Sequence, residues 1–152
     1  MATDISTAEG VALFNWLNAR IGQTLDRGEC WDAAERAIRT VGAPRPTAAL
    51  YVWGRAVAVS SARVGDVLQF SNFVVRVTQA DGSFQENSFG MPMHTAVVSY
   101  LNVDGSVDML HQNYNYDRSV QSLEYVFLRN ITAGGQVVTT TGSVTCYRPQ
   151  KP

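Results

Sequence analysis

The stretch DRGECWDAAERAI, from Asp26 to Ile38, reads as the opening of a helix with a cysteine in its first turn. Gly28 punctuates the chain just before it. Ala33, Ala34, Ala37 and Ile38, with Val41, then give a small-residue apolar face that permits close packing. Gly42 suits the C-terminus and APRP stops the helix, so the pattern predicts a helix from about Cys30 to Val41. A second helix is expected upstream. Ser6 and Glu9 form a capping-box pattern, and Val11, Phe14, Leu17 and Ile21 recur behind it with Trp16 alongside, predicting a helix over about Ala8 to Ile21.

After Pro46 the texture changes. ALYVW, DVLQFSNFVVRVTQ, SFQENSF, HTAVVSYL, SVDMLHQN, LEYVFLR and QVVTTTGSVTCY are β-rich runs, separated by turn signals at RVGD, ADGS, NVDG and TAGG. Helices first and strands afterwards define an α+β class, with N-terminal helices packed on a mainly antiparallel β-sheet or barrel. No repeat, low-complexity segment or linker divides the chain, so residues 1–152 read as a single domain.

The totals restrict the function classes. Of 152 residues, 45% are hydrophobic, and only 16% are charged, below the ~25% usual for soluble domains. That excludes disorder. A formal charge of −1 gives neither a basic footprint for nucleic acid nor a polybasic patch for anionic membrane. The opening residues lack the basic and apolar regions of a signal peptide. The two cysteines, Cys30 and Cys146, are too few for a disulfide framework. The expectation is a cytoplasmic protein as made, unless it is exported or released without a cleaved leader. Asn130 begins an NIT sequon, which carries little weight without a secretory signal.

HTAVVSYL and SVDMLHQN flank NVDG and read as a hairpin. If the loop centres between Val103 and Asp104, Ala96 pairs near His111 and His94 near Asn113. His94, Ala96, Val98 and Tyr100 then share a face with Val107, Met109, His111 and Asn113. A slip of one residue would bring Leu110 and Gln112 to that face instead. Both histidines of the chain fall at one end of this hairpin.

A cysteine nucleophile needs a thiolate, a base and an orienting group. A helix start lowers a thiol's pKa, an imidazole takes and returns the proton, and a third polar side chain holds the imidazole. Cys30, His94 and either His111 or Asn113 fill these roles in order. The oxyanion would be held by the Cys30 backbone N–H, at a helix start where free donors exist.

GECWDAAERAI, VGDVLQF and MHTAVVSYLNVDGSVDMLHQN resemble the successive blocks of the NlpC/P60 and CHAP families of papain-like cysteine peptidases. GECW resembles the nucleophile block, GDVLQF the first barrel strand, HTAVV with HQN the base-and-orienter hairpin, and GSVTCYRP the closing strand of some members. The likeness covers about Gly28 to Pro149. A papain-like domain of some eukaryotic cytoskeletal proteins shares the GECW look. The resemblance implies an amidase or endopeptidase in which Cys30 attacks an amide and His94 shuttles the proton, with Gln23, seven residues before the cysteine, as a further oxyanion donor, since a glutamine upstream of the cysteine recurs in papain-like enzymes. His111 matches the third position of NlpC/P60 enzymes. CHAP enzymes carry an acid and, two residues on, an asparagine; here His111 and Asn113 stand in those places, and the acid is missing. Peptidoglycan is the implied substrate, with a lysin or a leaderless delivered toxin as the setting and an immunity protein as the partner of a toxin.

Duller roles compete with each assignment. A lone cysteine is usually a small buried hydrophobe, and buried histidines are usually packed and hydrogen-bonded. Cys146 reads as packing, although a Cys30–Cys146 disulfide would silence the site. Trp31, Trp53, Tyr114 and Tyr116 line a cleft or fill the core. Glu29 contacts a substrate amine or is a solvated loop carboxylate. Asp66 reads as a turn residue. No CxxC or HxxxH spacing supports a metal, and no cofactor is implied. The competing function is a papain-like binding or scaffolding module, catalytically weak or inactive. A third keeps the chemistry but moves it to a protein or small amide.

Overall fold

Ser6 opens the first helix as its spacing predicts. The computed structural model describes every residue from Met1 to Pro152. A two-residue strand, β1 (Thr3–Asp4), precedes α1 (Thr7–Asn18). The Ser6 hydroxyl accepts from the Glu9 N–H at 3.1 Å, and the Glu9 carboxylate accepts from the Ser6 N–H at 2.9 Å, completing the capping box. The buried face of α1 is Gly10, Leu13 and Leu17; Val11 and Ile21, expected on that face, are exposed. Leu13 and Leu17 are one helical turn apart, and Val11 lies off that line.

α2 (Cys30–Arg39) begins at the cysteine and ends two residues short of Val41. Its buried face is the expected one, with Ala33, Ala34, Ala37 and Ile38 inward. The run ALYVW, expected as a strand, is loop. Leu50, Tyr51 and Val52 are exposed, Trp53 is buried, and no neighbouring strand pairs with them.

The strands that follow are β2 (Arg55–Val57), β3 (Val67–Thr78), β4 (Phe84–Leu101), β5 (Val107–Tyr114), β6 (Asp117–Val126), β7 (Ile131–Ala133), β8 (Gln136–Arg148) and β9 (Gln150–Lys151). SFQENSF and HTAVVSYL, read as separate strands, join in one long β4. Seven strands make one antiparallel sheet in the order β2-β8-β3-β4-β5-β6, with β7 paired on β8, while β1 and β9 pair apart from it. The sheet stays open and does not close into the barrel offered as an alternative. The chain is therefore α+β, two helices on a mainly antiparallel sheet.

Both faces of the sheet are buried. Toward the helices, Val67, Val97, Leu110, Val120 and Trp53 pack against Leu13, Leu17, Ala33, Ala34, Ala37 and Ile38. On the opposite face Leu68, Phe70, Phe73, Phe89, Ala96, Val98, Met109 and Cys146 form a second core. Strand alternation separates the two: Val97 faces the helices and Ala96 and Val98 face away.

α1 reaches the sheet through a glycine pair. A methyl built on Gly10 would collide with the Val64 carbonyl oxygen, and one on Gly65 with the Gly10 backbone. Neither obstacle is a flexible side chain, so Gly10→Ala must displace the helix from the sheet. It is expected to lose about 1–3 kcal/mol, the usual cost of overpacking. A urea titration of the variant checks this, and unchanged stability would contradict the close approach.

Candidate functional site

The N-terminus of α2 rests on a row of polar side chains. Gln69 on β3 lies opposite Thr95 on β4 on one side and Thr145 on β8 on the other. The Thr95 hydroxyl donates to Gln69 Oε1 at 2.7 Å, and the Trp53 indole donates to the same oxygen at 2.9 Å. Gln69 in turn donates through Nε2 to the carbonyl of His94 at 3.0 Å. On β5, Gln112 ties down the loop that leads into α2. Its Oε1 accepts from the Leu25 N–H, and its Nε2 donates to the carbonyls of Leu25 and Glu29 at 3.1 and 2.8 Å. All three are buried, so each bond replaces one lost to water.

Cys30 sits half-buried above this row. Burial pushes its thiol up from the ordinary range; the backbone and hydroxyl of Thr95 and the backbone of Trp31 counter part of that shift. No hydrogen bond joins it to either histidine, whose ring nitrogens His94 Nε2 and His111 Nδ1 contact each other instead. The helix start does not outweigh desolvation here, so the thiol is held protonated.

Ala96 pairs with His111 as expected, but a bulge between Val98 and Tyr100 shifts the register next to the loop, so that Tyr100, expected on the core face, pairs with Asp108 and is exposed. The face differs as well. His94 shares the second core with Ala96 and Val98, away from α2. Its ring lies 6.0 Å from Phe89 and 6.3 Å from Phe70, and its Nε2 is 2.8 Å from Nδ1 of His111. His111 stacks on Tyr114 with centroids 4.7 Å apart, and its Nε2 is buried with no hydrogen-bond partner. Burial holds both imidazoles below their ordinary range, His94 at about 4 and His111 at about 3, the latter lowered further by His94. The expected Cys30–His94–His111 arrangement is thus not assembled: nucleophile and imidazoles occupy opposite faces of one sheet. Thr95 and Gln112, each next in sequence to a histidine, stand on the face where a base and orienter would be needed.

The remaining candidates divide. Asn113 has a positive φ of 60° at a break in the β5–β6 register, and its Nδ2 donates to Glu29 Oε2 at 3.3 Å. It reaches the residue before Cys30 and orients no imidazole. Glu29 also pairs with Arg118 at 3.1 Å, so its carboxylate braces the loop. Gln23 is exposed and does not line the space over Cys30; its carbonyl accepts from the Val120 N–H at the edge of β6. Trp31 borders the cysteine, donates to the Leu50 carbonyl at 2.8 Å, and packs at 5.5 Å on Trp53, which is core. Tyr114 belongs to the histidine face, where its hydroxyl donates to Asn87. Cys146 is a buried thiol pushed up to about 12, chiefly by burial and then by the Asp66 charge. Both cysteines are free.

An open cleft of about 860 Å³ lies over Cys30. Trp31, Leu50, Tyr51 and Met93 supply its apolar walls, and Arg27, Arg39 and Arg45 stand at its rim. Thr95 and Gln69 escaped the sequence reading, and Gln112 entered it only as the outcome of a register slip, although each left a signal, a polar residue interrupting an apolar strand: VLQF, HTAVV, MLHQN.

A helix that opens on a cysteine and packs on an antiparallel sheet fits a papain-like cysteine-proteinase fold, and the family match assigns it. Residues 3–150 match the AIM3/BBC1 cysteine proteinase-fold domain, and the chain belongs to that family. No curated protein and no solved structure matches the chain. No helix is long and apolar enough to cross a membrane.

Proposed function

We propose that this domain is a non-hydrolytic papain-like module that binds a ligand in the cleft over Cys30. One observation carries the reading: the thiol that opens α2 meets Thr95, not an imidazole. Amide hydrolysis through cysteine needs a group that removes the thiol proton and returns it to the leaving amine. Thr95 can do neither at neutral pH, and Gln112 is occupied with the backbone of the Leu25–Glu29 loop. Family membership supports the fold and leaves catalysis open. Cleavage of peptidoglycan, or of another amide, is the alternative that the following experiment decides.

Iodoacetamide labelling of Cys30 is expected to be slow below neutrality and to rise only above the free-thiol pKa of ~8.5, with no change in His94→Ala. Cys146, fully buried, should not contribute. Peptidoglycan and a mixed peptide pool should survive incubation. Labelling shifted to acid pH, or cleavage lost in Cys30→Ala, would overturn the proposal in favour of the amidase.

A further inference from the structure

The rim of the cleft has an asymmetry in its charges. Asp32 and Glu35 lie beneath Arg27, Arg39 and Arg45, with Arg27 on Asp32 at 2.8 Å and Arg39 and Arg45 on Glu35 at 3.1 and 3.0 Å. The arginines keep 70, 52 and 58% of their side-chain surface in solvent, whereas Asp32 and Glu35 keep 5 and 4%. The acids are therefore used up inside the protein, and the guanidiniums are what a ligand meets. Arg27 keeps Nη1, Arg39 both Nη groups, and Arg45 Nε and Nη1 clear of protein acceptors. The acids that do face solvent nearby, Asp26 and Glu29, are each paired with an arginine of their own, Arg36 and Arg118.

Between these arginines the cleft is apolar. Trp31, Leu50, Tyr51 and Met93 line it, and Leu50 and Tyr51 are exposed. A ligand that satisfies both features carries carboxylates flanking an apolar or aromatic side chain. Guanidinium groups suit carboxylates because their paired N–H donors match two oxygens at once. A phosphate backbone would also meet arginines, but a chain of net charge −1 lacks the wide basic footprint of a nucleic-acid binder, and the apolar walls Trp31, Leu50, Tyr51 and Met93 suit a peptide side chain set between the carboxylates.

We infer that the cleft over Cys30 binds an acidic peptide segment of a partner protein, its carboxylates on Arg27, Arg39 and Arg45 and an apolar side chain against Trp31 and Tyr51. This rests on the reading of the cleft as a ligand groove and adds the class of ligand.

The test is fluorescence anisotropy with a labelled hexapeptide EELYEE, its neutral counterpart QQLYQQ, and single-stranded hexathymidylate. The acidic peptide should bind at least about tenfold tighter than the neutral one, and raising salt from about 50 to about 300 mM should erase most of that margin. Arg39→Gln/Arg45→Gln should lose it at low salt. That variant leaves Glu35 buried without a partner, so Glu35→Gln/Arg39→Gln/Arg45→Gln is measured beside it and should behave alike. Equal binding of the two peptides would sink the acidic preference and leave the groove. Tighter binding of hexathymidylate, or no binding of EELYEE to the folded chain, would overturn this inference. Cleavage of EELYEE would instead overturn the non-hydrolytic reading while leaving the preference standing.

Discussion

Arg148→Met is expected to cost about 3–5 kcal/mol, the usual loss when one partner of a buried ion pair is removed. Asp66 sits in VGDV, a stretch that reads as an ordinary turn. Asp66 does close that turn, its N–H donating to the Arg63 carbonyl at 3.0 Å, and the fold also buries it. Its side chain is almost wholly enclosed and accepts from Arg148 at 2.9 and 3.2 Å. The Arg63 N–H donates to the same carboxylate at 2.8 Å, and Arg148 also donates to the Ser61 carbonyl. Through this pair the end of β8 is fixed to the segment that leads into β3. Methionine fills the arginine's space but leaves the Asp66 charge with one backbone donor and the distant Cys146 sulfur, 3.7 Å away. Urea denaturation of Arg148→Met and of Asp66→Asn/Arg148→Met checks the argument. The double variant removes the stranded charge and should recover a large part of the loss. Equal destabilisation of both would show that packing, not charge, is what Arg148 supplies.

Elements that depend on neighbours in sequence were legible. The capping box at Ser6, the helix starting at Cys30, the glycine-rich turns and the pairing of Ala96 with His111 all follow from local chemistry. What could not be read was which face of the hairpin meets α2. Alternation has period two and sorts residues into two sets, but it names the buried set only when the other is polar. Here both sets are apolar. Ala96, Val98 and Met109 fill one core, and Val97 and Leu110 fill the other. Two histidines on one strand pair drew the assignment to their own face, while Thr95 and Gln112 alternate with them on the face that carries the polar row. Long-range placement also decided the ion pair of Asp66, whose turn was legible and whose partner Arg148 was not, and the ALYVW run, which composition signals as a strand and which is loop with Leu50, Tyr51 and Val52 exposed and Trp53 buried.

The histidine pair then has a different consequence, a loss of stability between about pH 6.5 and pH 5. Both rings are buried among Phe70, Phe89 and Tyr114, and neither has a carboxylate in salt-bridge reach. The two neutral rings share one N–H between His94 Nε2 and His111 Nδ1, and protonating both rings would set two cations side by side with these nitrogens 2.8 Å apart. Burial lowers both folded-state values, to about 4 and about 3, from an unfolded value of 6.5. The unfolded chain therefore binds protons first as pH falls. The stability tied to neutral imidazoles is complete above pH 6.5 and drains as pH drops toward the folded values. By about pH 5 each imidazole accounts for about 2 kcal/mol, roughly 4 together, a large share of the 5–15 kcal/mol typical of a domain. The carboxylates with shifted values, Asp4, Glu9, Asp81 and Asp117, are lowered and titrate further into acid, so the window belongs to the histidines. Chemical denaturation at half-unit steps from pH 7.5 to pH 4.5 should show the decline beginning near pH 6.5. His94→Leu/His111→Leu, which removes both ring systems and the unpartnered Nε2 with them, should flatten the curve down to about pH 5. A variant that declines as steeply as the parent would place the acid sensitivity elsewhere and remove the histidines from the account.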